Sequence, residues 1–187
     1  MFAKNWFDRN IKDWTKWLAG YKDKPDLKFL EIGCFEGRGT IWLLKNILTN
    51  KTSFIITIDT FGGSIEHKGK DFVDTIEKNY LENILPFSEQ VITLKGFSQE
   101  VLRSIKEYKE YDFIYIDGSH QAPDVLEDTI LAWRLLKKGG IMVWDDYMWH
   151  VKDGMLSPKP AIDAFLGIFK GKYKLISKGY QVCIVKL

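Results

Sequence analysis

Apolar side chains recur along the chain at two different spacings, and each spacing predicts a different element. Near the N-terminus, Phe7, Ile11, Trp14 and Leu18 follow one another at helical intervals until Gly20. That period predicts an amphipathic helix, and a glycine just beyond the last turn is typical of a helix end. Short, continuous apolar runs predict buried strands instead. Five such runs follow in order, at residues 27–34, 54–58, 91–94, 113–116 and 141–144.

The segments between the predicted strands carry a helical period. They comprise residues 40–48, residues 72–84 before Pro86, residues 99–108, a helix from Pro123 to the pair Gly139 and Gly140, and residues 161–169. Residues 175–176 and 180–185 are then predicted to pair as a hairpin across residues 177–179. Alternation of strands and helices predicts a parallel sheet wound on both faces. The predicted class is α/β: a Rossmann-like, doubly wound, mostly parallel seven-stranded sheet with a C-terminal antiparallel hairpin.

The length of the chain, 187 residues, suits one domain with a sizeable core. No internal repeat or low-complexity tract divides it. We therefore expect a single domain over residues 1–187. Residues 1–26 would form the N-terminal helix and a linker around Pro25, and residues 27–187 would form the ligand-binding core.

Charge and composition limit the partners that the chain can be expected to bind. The formal net charge of +2 provides no electrostatic footprint for nucleic acid. The first twenty residues mix charges with aromatics, unlike a signal peptide, and no apolar run approaches the length of a membrane span. We expect a cytoplasmic protein with no membrane or nucleic-acid partner. Cys34 and Cys183 lack metal-ligand spacing and are expected to be buried, reduced thiols. Nothing in the sequence indicates an oligomeric state.

Acidic residues lie at or near the ends of four predicted strands. They are Glu31, Asp59, Asp117 and the pair Asp145 and Asp146. The carboxyl ends of parallel strands meet at one edge of the sheet, where open α/β sheets bind their ligands. Several unpaired carboxylates in one crevice are costly, so their convergence indicates a functional site.

A glycine-rich loop follows the first predicted strand. Gly33, Gly37 and Gly39 permit a tight turn and a close approach of the backbone to a ligand. Asp59 lies twenty residues beyond Gly39, where a carboxylate can accept both hydroxyls of a ribose. Together they indicate an adenosine-containing cofactor. The spacing G-x-x-x-G-x-G differs from the G-x-G-x-x-G of nicotinamide dehydrogenases, which makes a dehydrogenase a distant alternative.

Five ordered motifs carry a resemblance to a known family. They are LEIGCFEG at residues 30–37, ID at 58–59, GFSQE at 96–100, YIDGSH at 115–120 and GGIMVWDDY at 139–147. The set resembles class I methyltransferases that use S-adenosylmethionine. The last two motifs are similar to those of the metal-dependent O-methyltransferases, the group of catechol O-methyltransferase and of the macrolide-sugar and aminocoumarin-sugar enzymes. The resemblance extends from about residue 27 to the C-terminus, which would make those residues the cofactor-binding core of a class I methyltransferase domain.

The resemblance implies a role for each residue at a matching position. Glu31, Gly33 and Phe35 would contact the methionine end of S-adenosylmethionine, with Gly37, Gly39 and Asp117 also in the cofactor site. Asp59 would hold the ribose, and Ser98 would meet the adenine. Asp117, Asp145 and Asp146 would bind a divalent cation, and His120 would act as the general base.

The chemistry of these residue types agrees with the implied roles. Ligation by carboxylates alone suits Mg²⁺ or Mn²⁺. A cation beside an acceptor hydroxyl makes its deprotonation easier, and histidine suits a base near neutral pH. The sequence therefore predicts methyl transfer from S-adenosylmethionine to a small hydroxylated acceptor, such as a sugar or a diol.

Each assignment has a structural alternative. Asp145 and Asp146 could simply cap a loop, and His120 could be a surface residue at a helix start. His67 is expected to be solvated, and His150 is ambiguous. Trp144 is expected to pack in the core, whereas Trp149 is the better candidate for substrate contact. The N-terminal helix would cover the sheet, with a lid over the acceptor as the alternative.

Two other functions remain open at this point. One is a metal-independent methyltransferase that acts on nucleic acid or protein. The other is a module that binds S-adenosylmethionine without catalysis, because the chain is short for the group and the segments that usually shape the acceptor pocket are trimmed.

Overall fold

Seven strands and six α-helices alternate along the part of the chain described by a computed structural model, which covers residues 2–64, 72–106, 110–150 and 157–187. The strands are β1 (Lys28–Ile32), β2 (Phe54–Asp59), β3 (Val91–Lys95), β4 (Tyr111–Ile116), β5 (Leu136–Trp144), β6 (Tyr173–Lys178) and β7 (Val182–Lys186). The α-helices are α1 (Ile11–Trp17), α2 (Arg38–Asn46), α3 (Ile76–Ile84), α4 (Ser98–Ser104), α5 (Ala122–Leu135) and α6 (Lys159–Ile168). Short 3₁₀ helices occupy Trp6–Asn10, Ala19–Tyr21, Val73–Thr75 and Leu85–Gln90.

All seven strands form one sheet in the order β3-β2-β1-β4-β5-β7-β6. The first five are parallel, and β7 pairs antiparallel with both β5 and β6. The predicted α/β class and the C-terminal hairpin are confirmed. The strand order reverses between β1 and β4, and this switch point brings the carboxyl ends of those strands to the crevice where such sheets bind ligands.

The two faces of the sheet bury separate apolar layers. Phe29 and Phe113 pack with α1 and α2 on one face, whereas Leu30 and Ile114 pack with α5 and α6 on the other. This alternation follows from the two-residue period of a strand. None of the helices in the described ranges is long and apolar enough to cross a membrane.

Trp14 ties the N-terminal helix to the sheet. Its side chain is fully buried, its ring lies 4.7 Å from that of Tyr115, and its Nε1 donates a hydrogen bond of 2.8 Å to Gln181. The prediction that this helix covers the sheet is confirmed. The first part of the predicted helix, Trp6–Asn10, is 3₁₀ rather than α.

The predicted end of the fifth helix is wrong. The helix stops at Leu135, and β5 begins at Leu136, before Gly139 and Gly140 rather than after them. The pairing with β4 shifts register between Tyr111 and Phe113, so that the glycines lie within an irregular stretch of β5. Gly139 there has a left-handed φ of +80°. Glycine is common both just beyond helix ends and at irregularities in strands, so the sequence alone predicted the wrong one of these two here.

The hairpin is displaced from its predicted position. The strand β6 continues to Lys178, and β7 starts at Val182, so that Tyr180 lies in the turn and not in a strand. In the fourth predicted helix, α4 ends at Ser104, and residues 107–109 lie outside the described residues. Two further predictions are confirmed: both cysteines are buried and unpaired, and Trp144 is fully buried in the core.

Asp128 is a buried acid on α5 whose burial raises its pKa. Its side chain is 1% exposed, and neither carboxylate oxygen has a hydrogen-bond partner among the described residues. Burial raises its pKa to about 7, with the hydroxyl of Ser98 opposing that rise and the nearby Asp124 and Glu127 adding to it. The ionised form is therefore disfavoured in the folded protein.

We predict that Asp128→Asn makes the free energy of unfolding less dependent on pH. Because the pKa is higher in the folded state, the wild-type protein loses stability as the pH rises from about 4 to 7. A shift of this size corresponds to about 4 kcal/mol at most. Urea unfolding at pH 5 and pH 8 measures the effect. The matched control is Glu89→Gln at an exposed acid in the 3₁₀ helix Leu85–Gln90. Equal pH dependence of wild type and Asp128→Asn would contradict the prediction.

Candidate functional site

A cavity of about 910 Å³ opens at the carboxyl ends of the central strands. Its wall includes residues at or just beyond the ends of β1, β2, β3, β4 and β5, together with Lys4, Trp6, Phe7 and Arg9 from the N-terminal segment. Such a volume is typical of a site for a cofactor or small ligand. Trp14 covers the sheet, and the residues before it line the cavity, whereas a lid over the acceptor stays a prediction.

Gly33 allows β1 and β4 to approach closely at the floor of the cavity. It has a φ of +81°, and a Cβ there would lie 2.0 Å from the carbonyl oxygen of Asp117. A Cβ on Gly39 would lie 2.9 Å from Oε1 of Glu31. Gly37 differs from these two, since it is not among the described residues that line the cavity and its Cβ would meet the ring of Tyr80 at 3.0 Å. Its left-handed φ of +78° serves the turn into α2.

Glu31 presents a buried carboxyl to the cavity. It is 1% exposed, and the hydroxyl of Thr40 donates a hydrogen bond to it. Burial raises its pKa to about 8, with Asp59 adding to the rise and Thr40 opposing it. The protonated form of Glu31 is therefore favoured near neutral pH.

Asp59 shapes the glycine-rich loop. Its Oδ2 accepts hydrogen bonds of 2.8 Å from the backbone amides of Cys34 and Phe35, and its Oδ1 accepts one of 2.7 Å from Phe61. Asp59 and Phe35 also line the cavity. Ser98 lines the same cavity as the first residue of α4, next to Phe97, which is 65% exposed.

Asp117, His120 and Asp146 converge at the other side of the cavity. One ligand atom from each lies within 4.8 Å of the other two. Nε2 of His120 lies 2.8 Å from Oδ2 of Asp146, and the hydroxyl of Tyr180 donates a hydrogen bond of 2.6 Å to Oδ1 of Asp146. Asp146 has a left-handed φ of +55°, a strained conformation of the kind that is found at functional sites.

Asp145 is not part of this convergent group. Its Oδ2 accepts hydrogen bonds from the side chains of Tyr115, Asn10 and Gln181, the last two at 3.1 and 3.0 Å. Its Oδ1 accepts a hydrogen bond of 2.7 Å from the backbone amide of Asp146. Four protein donors thus hold a carboxylate that the resemblance assigned to a cation. In this arrangement Asp145 anchors the loop, and the nearby histidine takes its place in the group.

The carboxyls of the site repel one another. Burial and the proximity of Asp145 and Asp146 raise the pKa of Asp117, and burial with Asp146 raises that of Asp145. Burial acts in the same direction on Asp146, but hydrogen bonds from His120 and Tyr180 lower its pKa overall. The charged forms of Asp117 and Asp145 are therefore disfavoured, and a nearby cation would favour them.

Sequence reasoning missed the residues that orient the three aspartates. Tyr115 is buried with its hydroxyl between Asp117 and Asp145, at 2.9 Å from Oδ2 of Asp117. Asn10 and Tyr180 reach the acids from the two ends of the chain. The guanidinium of Arg9 lies 4.0 Å from the ring centre of Tyr180. No local pattern signals a contact between residues separated by as many as 135 positions.

Aromatic side chains stand at the mouth of the cavity. The ring of Trp149 lies 4.3 Å from that of His120, and both residues line the cavity. The alternative that His120 is a solvated surface residue therefore loses its support. His150 also lines the cavity and is exposed, whereas His67 lies outside the described residues.

Comparison with known proteins identifies relatives by sequence. A family model described as "Methyltransferase domain" (Methyltransf_24) matches residues 30–147. A curated relative, Uncharacterized protein R132 of Acanthamoeba polyphaga mimivirus, is 30% identical over 162 residues, which cover 83% of this chain and 67% of the relative.

Solved structures with the same fold carry different descriptions. A candidate O-methyltransferase of Klebsiella pneumoniae has a TM-score of 0.71 and 15% identity, and covers 100% of this chain and 83% of its own. A candidate rRNA-methylase of Clostridium thermocellum has a TM-score of 0.69 and 15% identity, and the match covers 100% of this chain and 98% of that one. The O-methyltransferase of Bacillus cereus in complex with SAH has a TM-score of 0.61 and 19% identity, with coverage of 85% and 74%. At these identities the likeness establishes the fold.

Proposed function

Because this chain belongs to the methyltransferase-domain family, we propose that it transfers the methyl group of S-adenosylmethionine to a hydroxyl of a small acceptor, assisted by a divalent cation. Family membership makes it an S-adenosylmethionine-dependent methyltransferase. The oxygen acceptor, the cation and the residue roles are the proposal. The observation that carries it is the convergence of Asp117, His120 and Asp146 on one side of the cavity. We propose that one domain, residues 1–187, contains the whole site.

The donor side of the cavity suits S-adenosylmethionine. The buried carboxyl of Glu31 can accept a hydrogen bond from the α-ammonium of the methionine. The positive charge of that group would favour the ionised form of Glu31. Gly33 and Phe35 bring the loop backbone to the same region. Asp59 would hold the ribose, and Ser98 would contact the adenine. Asp117 is next to Gly33 in space and would lie where the donor and the acceptor meet.

The acceptor side suits Mg²⁺ or Mn²⁺. Asp117 and Asp146 would supply carboxylate oxygens, which these cations prefer. Burial, with the negative charges of Asp145 and Asp146, raises the pKa of Asp117, and a bound cation would favour its ionised form. A bound cation would polarise the acceptor hydroxyl and make its deprotonation easier. His120 would take the proton, Asp146 would orient the imidazole, and Trp149 would form one wall against the acceptor. The cavity would position the two reactants for direct displacement at the methyl group.

The proposal is tested by a methyl-transfer assay with labelled S-adenosylmethionine and a panel of catechols and sugar diols. Turnover should require Mg²⁺ or Mn²⁺, and EDTA should abolish it, with restoration by added metal. Activity that persists unchanged in EDTA would contradict the assistance by a cation. Binding of S-adenosylhomocysteine without transfer to any acceptor would support a non-catalytic module instead.

We predict that His120→Ala lowers kcat by about 10²–10⁴-fold while Mn²⁺ affinity stays within about threefold. A general base contributes to the chemical step, whereas a ligand contributes to metal affinity. Turnover at saturating acceptor measures the first quantity, and Mn²⁺ titration monitored by electron paramagnetic resonance measures the second. The matched control is His150→Ala, an exposed histidine at the rim of the cavity, which should change neither quantity. A large loss of Mn²⁺ affinity in His120→Ala would make His120 a ligand and not the base.

A second candidate function is methylation of RNA. The likeness to a candidate rRNA-methylase favours it, whereas the formal net charge of +2 weighs against it. The discriminating measurement is RNA affinity against salt concentration. A steep fall of affinity with added salt, together with methyl transfer to RNA, would favour this candidate over the small acceptor.

A further inference from the structure

The carboxyl of Asp128 is an energetic anomaly that the proposed chemistry does not use. In the described part of the chain, the two buried side-chain oxygens without a hydrogen-bond partner both belong to this residue. A buried, unpaired carboxylate lowers the stability of the fold, and an apolar side chain of similar size would avoid that penalty. The presence of an acid at this position therefore points to a role other than stability.

Asp128 lies directly behind the wall of the cofactor cavity. Its helix, α5, packs against α4, whose first residue is Ser98. A Cβ on Gly118 would lie 3.8 Å from Oδ2 of Asp128, so that this oxygen stands behind Gly118. Ser98 and Gly118 both line the cavity. The hydroxyl of Ser98 is also close enough to favour the charged form of Asp128.

The order of the strands sets which part of the cofactor lies at this wall. The methyl group must point toward Asp117 and Asp146, at the ends of β4 and β5, where the acceptor is activated. Asp59 ends β2, and Ser98 follows β3 at the opposite edge of the parallel strands. In the proposed function, the adenosine of S-adenosylmethionine would extend from Asp59 toward Ser98, as the resemblance implies.

We propose that Asp128 is a positioning residue that orients the Ser98 hydroxyl to accept a hydrogen bond from the amino group of the adenine. This inference rests on the proposed function. Above a pH of about 7 the carboxyl of Asp128 is ionised and can only accept hydrogen bonds. Because its oxygens have no other partner among the described residues, the Ser98 hydroxyl would turn to donate its proton to Asp128 when the cofactor binds. The oxygen of Ser98 then faces the cavity as an acceptor. An adenine presents an N–H donor there, whereas hypoxanthine presents a carbonyl oxygen and would be disfavoured.

The test compares two ligands on matched variants by titration calorimetry. The ligands are S-adenosylhomocysteine and S-inosylhomocysteine, which differ in the amino group. Wild type should prefer the adenine ligand by about tenfold or more, the discrimination expected of a hydrogen bond to a polarised group. Asp128→Leu removes the acceptor behind Ser98 and should reduce that preference to about twofold. Asp128→Asn keeps an acceptor oxygen and should retain most of it.

Two further variants separate this role from a structural one. Ser98→Ala should lose the same preference as Asp128→Leu, and the double variant should lose no more, because both changes remove one pathway. Glu89→Gln, at an exposed acid in the 3₁₀ helix Leu85–Gln90, is the control and should bind both ligands like wild type. Urea unfolding at pH 8 should show Asp128→Leu to be at least as stable as wild type while it binds S-adenosylhomocysteine more weakly. A structural role would change stability and affinity together.

The outcomes distinguish the inference from the function on which it rests. An unchanged preference in folded Asp128→Leu, or additive losses in the double variant, would overturn the role of Asp128 and leave the methyltransferase proposal intact. Failure of wild type to bind S-adenosylhomocysteine at all would overturn both.

Discussion

Asp146→Ala is expected to lower methyl transfer by on the order of 10³-fold while the affinity for S-adenosylhomocysteine stays within about threefold. The carboxylate of Asp146 is the group that joins Asp117 and His120 into one cluster. Its removal takes away a cation ligand and the hydrogen-bond partner of the proposed base, whereas the donor side of the cavity is left unchanged. Turnover and S-adenosylhomocysteine binding by calorimetry measure the two quantities on the same protein.

Asp145→Asn provides the matched comparison for that prediction. Asp145 is held by four protein donors and lies outside the convergent group, so this variant should bind Mn²⁺ within about threefold of wild type. Its main effect should be a loss of stability, because the donors from Asn10 and Gln181 lose a charged acceptor. Equal losses of Mn²⁺ affinity in Asp145→Asn and Asp146→Ala would mean that both aspartates bind the cation, as the resemblance to metal-dependent O-methyltransferases implies.

Gly33→Ala is expected to destabilise the protein by roughly 4 kcal/mol or more, or to prevent its folding. An added Cβ would lie 2.0 Å from the backbone oxygen of Asp117, and the φ of +81° disfavours any side chain. Relief requires β1 and β4 to move apart at the floor of the cavity, so any folded fraction should also bind S-adenosylhomocysteine weakly. Urea unfolding and calorimetry check the two effects.

The control for Gly33→Ala is Gly20→Ala. No atom lies within 4 Å of a Cβ at Gly20, and its φ lies outside the left-handed region. This variant should unfold within about 0.5 kcal/mol of wild type. If Gly33→Ala were as stable as Gly20→Ala, the close approach of β1 and β4 would not be a requirement of the fold.

The fold could be predicted because the spacing of apolar residues within each segment indicates whether it is a strand or a helix. The continuous apolar runs of β1, β2 and β4 are buried on both faces, and the helical period of residues such as Ile76 and Tyr80 persists into α3. The boundaries failed where one residue type serves two purposes. Gly139 has the signature of a helix end, although it lies in a register shift of β5, and Tyr180 fits a strand pattern although it lies in a turn.

The candidate site could be predicted in part. Strand ends converge in any open α/β sheet, so the grouping of Asp117 with Asp146 follows from topology. The detailed arrangement depends on contacts between distant segments, which no local pattern encodes. Asp145 accepts hydrogen bonds from Asn10 and Gln181, and the third member of the convergent group is His120. The anomaly of Asp128 likewise becomes visible only when its burial and its lack of partners are known.

A crystal structure of the protein with S-adenosylhomocysteine and Mn²⁺ tests the central claim most directly. Anomalous scattering at the manganese edge locates the ion without reference to any assumed ligand. The proposed function predicts one Mn²⁺ ion ligated by Asp117 and Asp146, with the methionine end of S-adenosylhomocysteine at Glu31 and the adenosine extending past Asp59 to Ser98. Saturating Mn²⁺ with no ion at these aspartates, or S-adenosylhomocysteine outside this cavity, would contradict it.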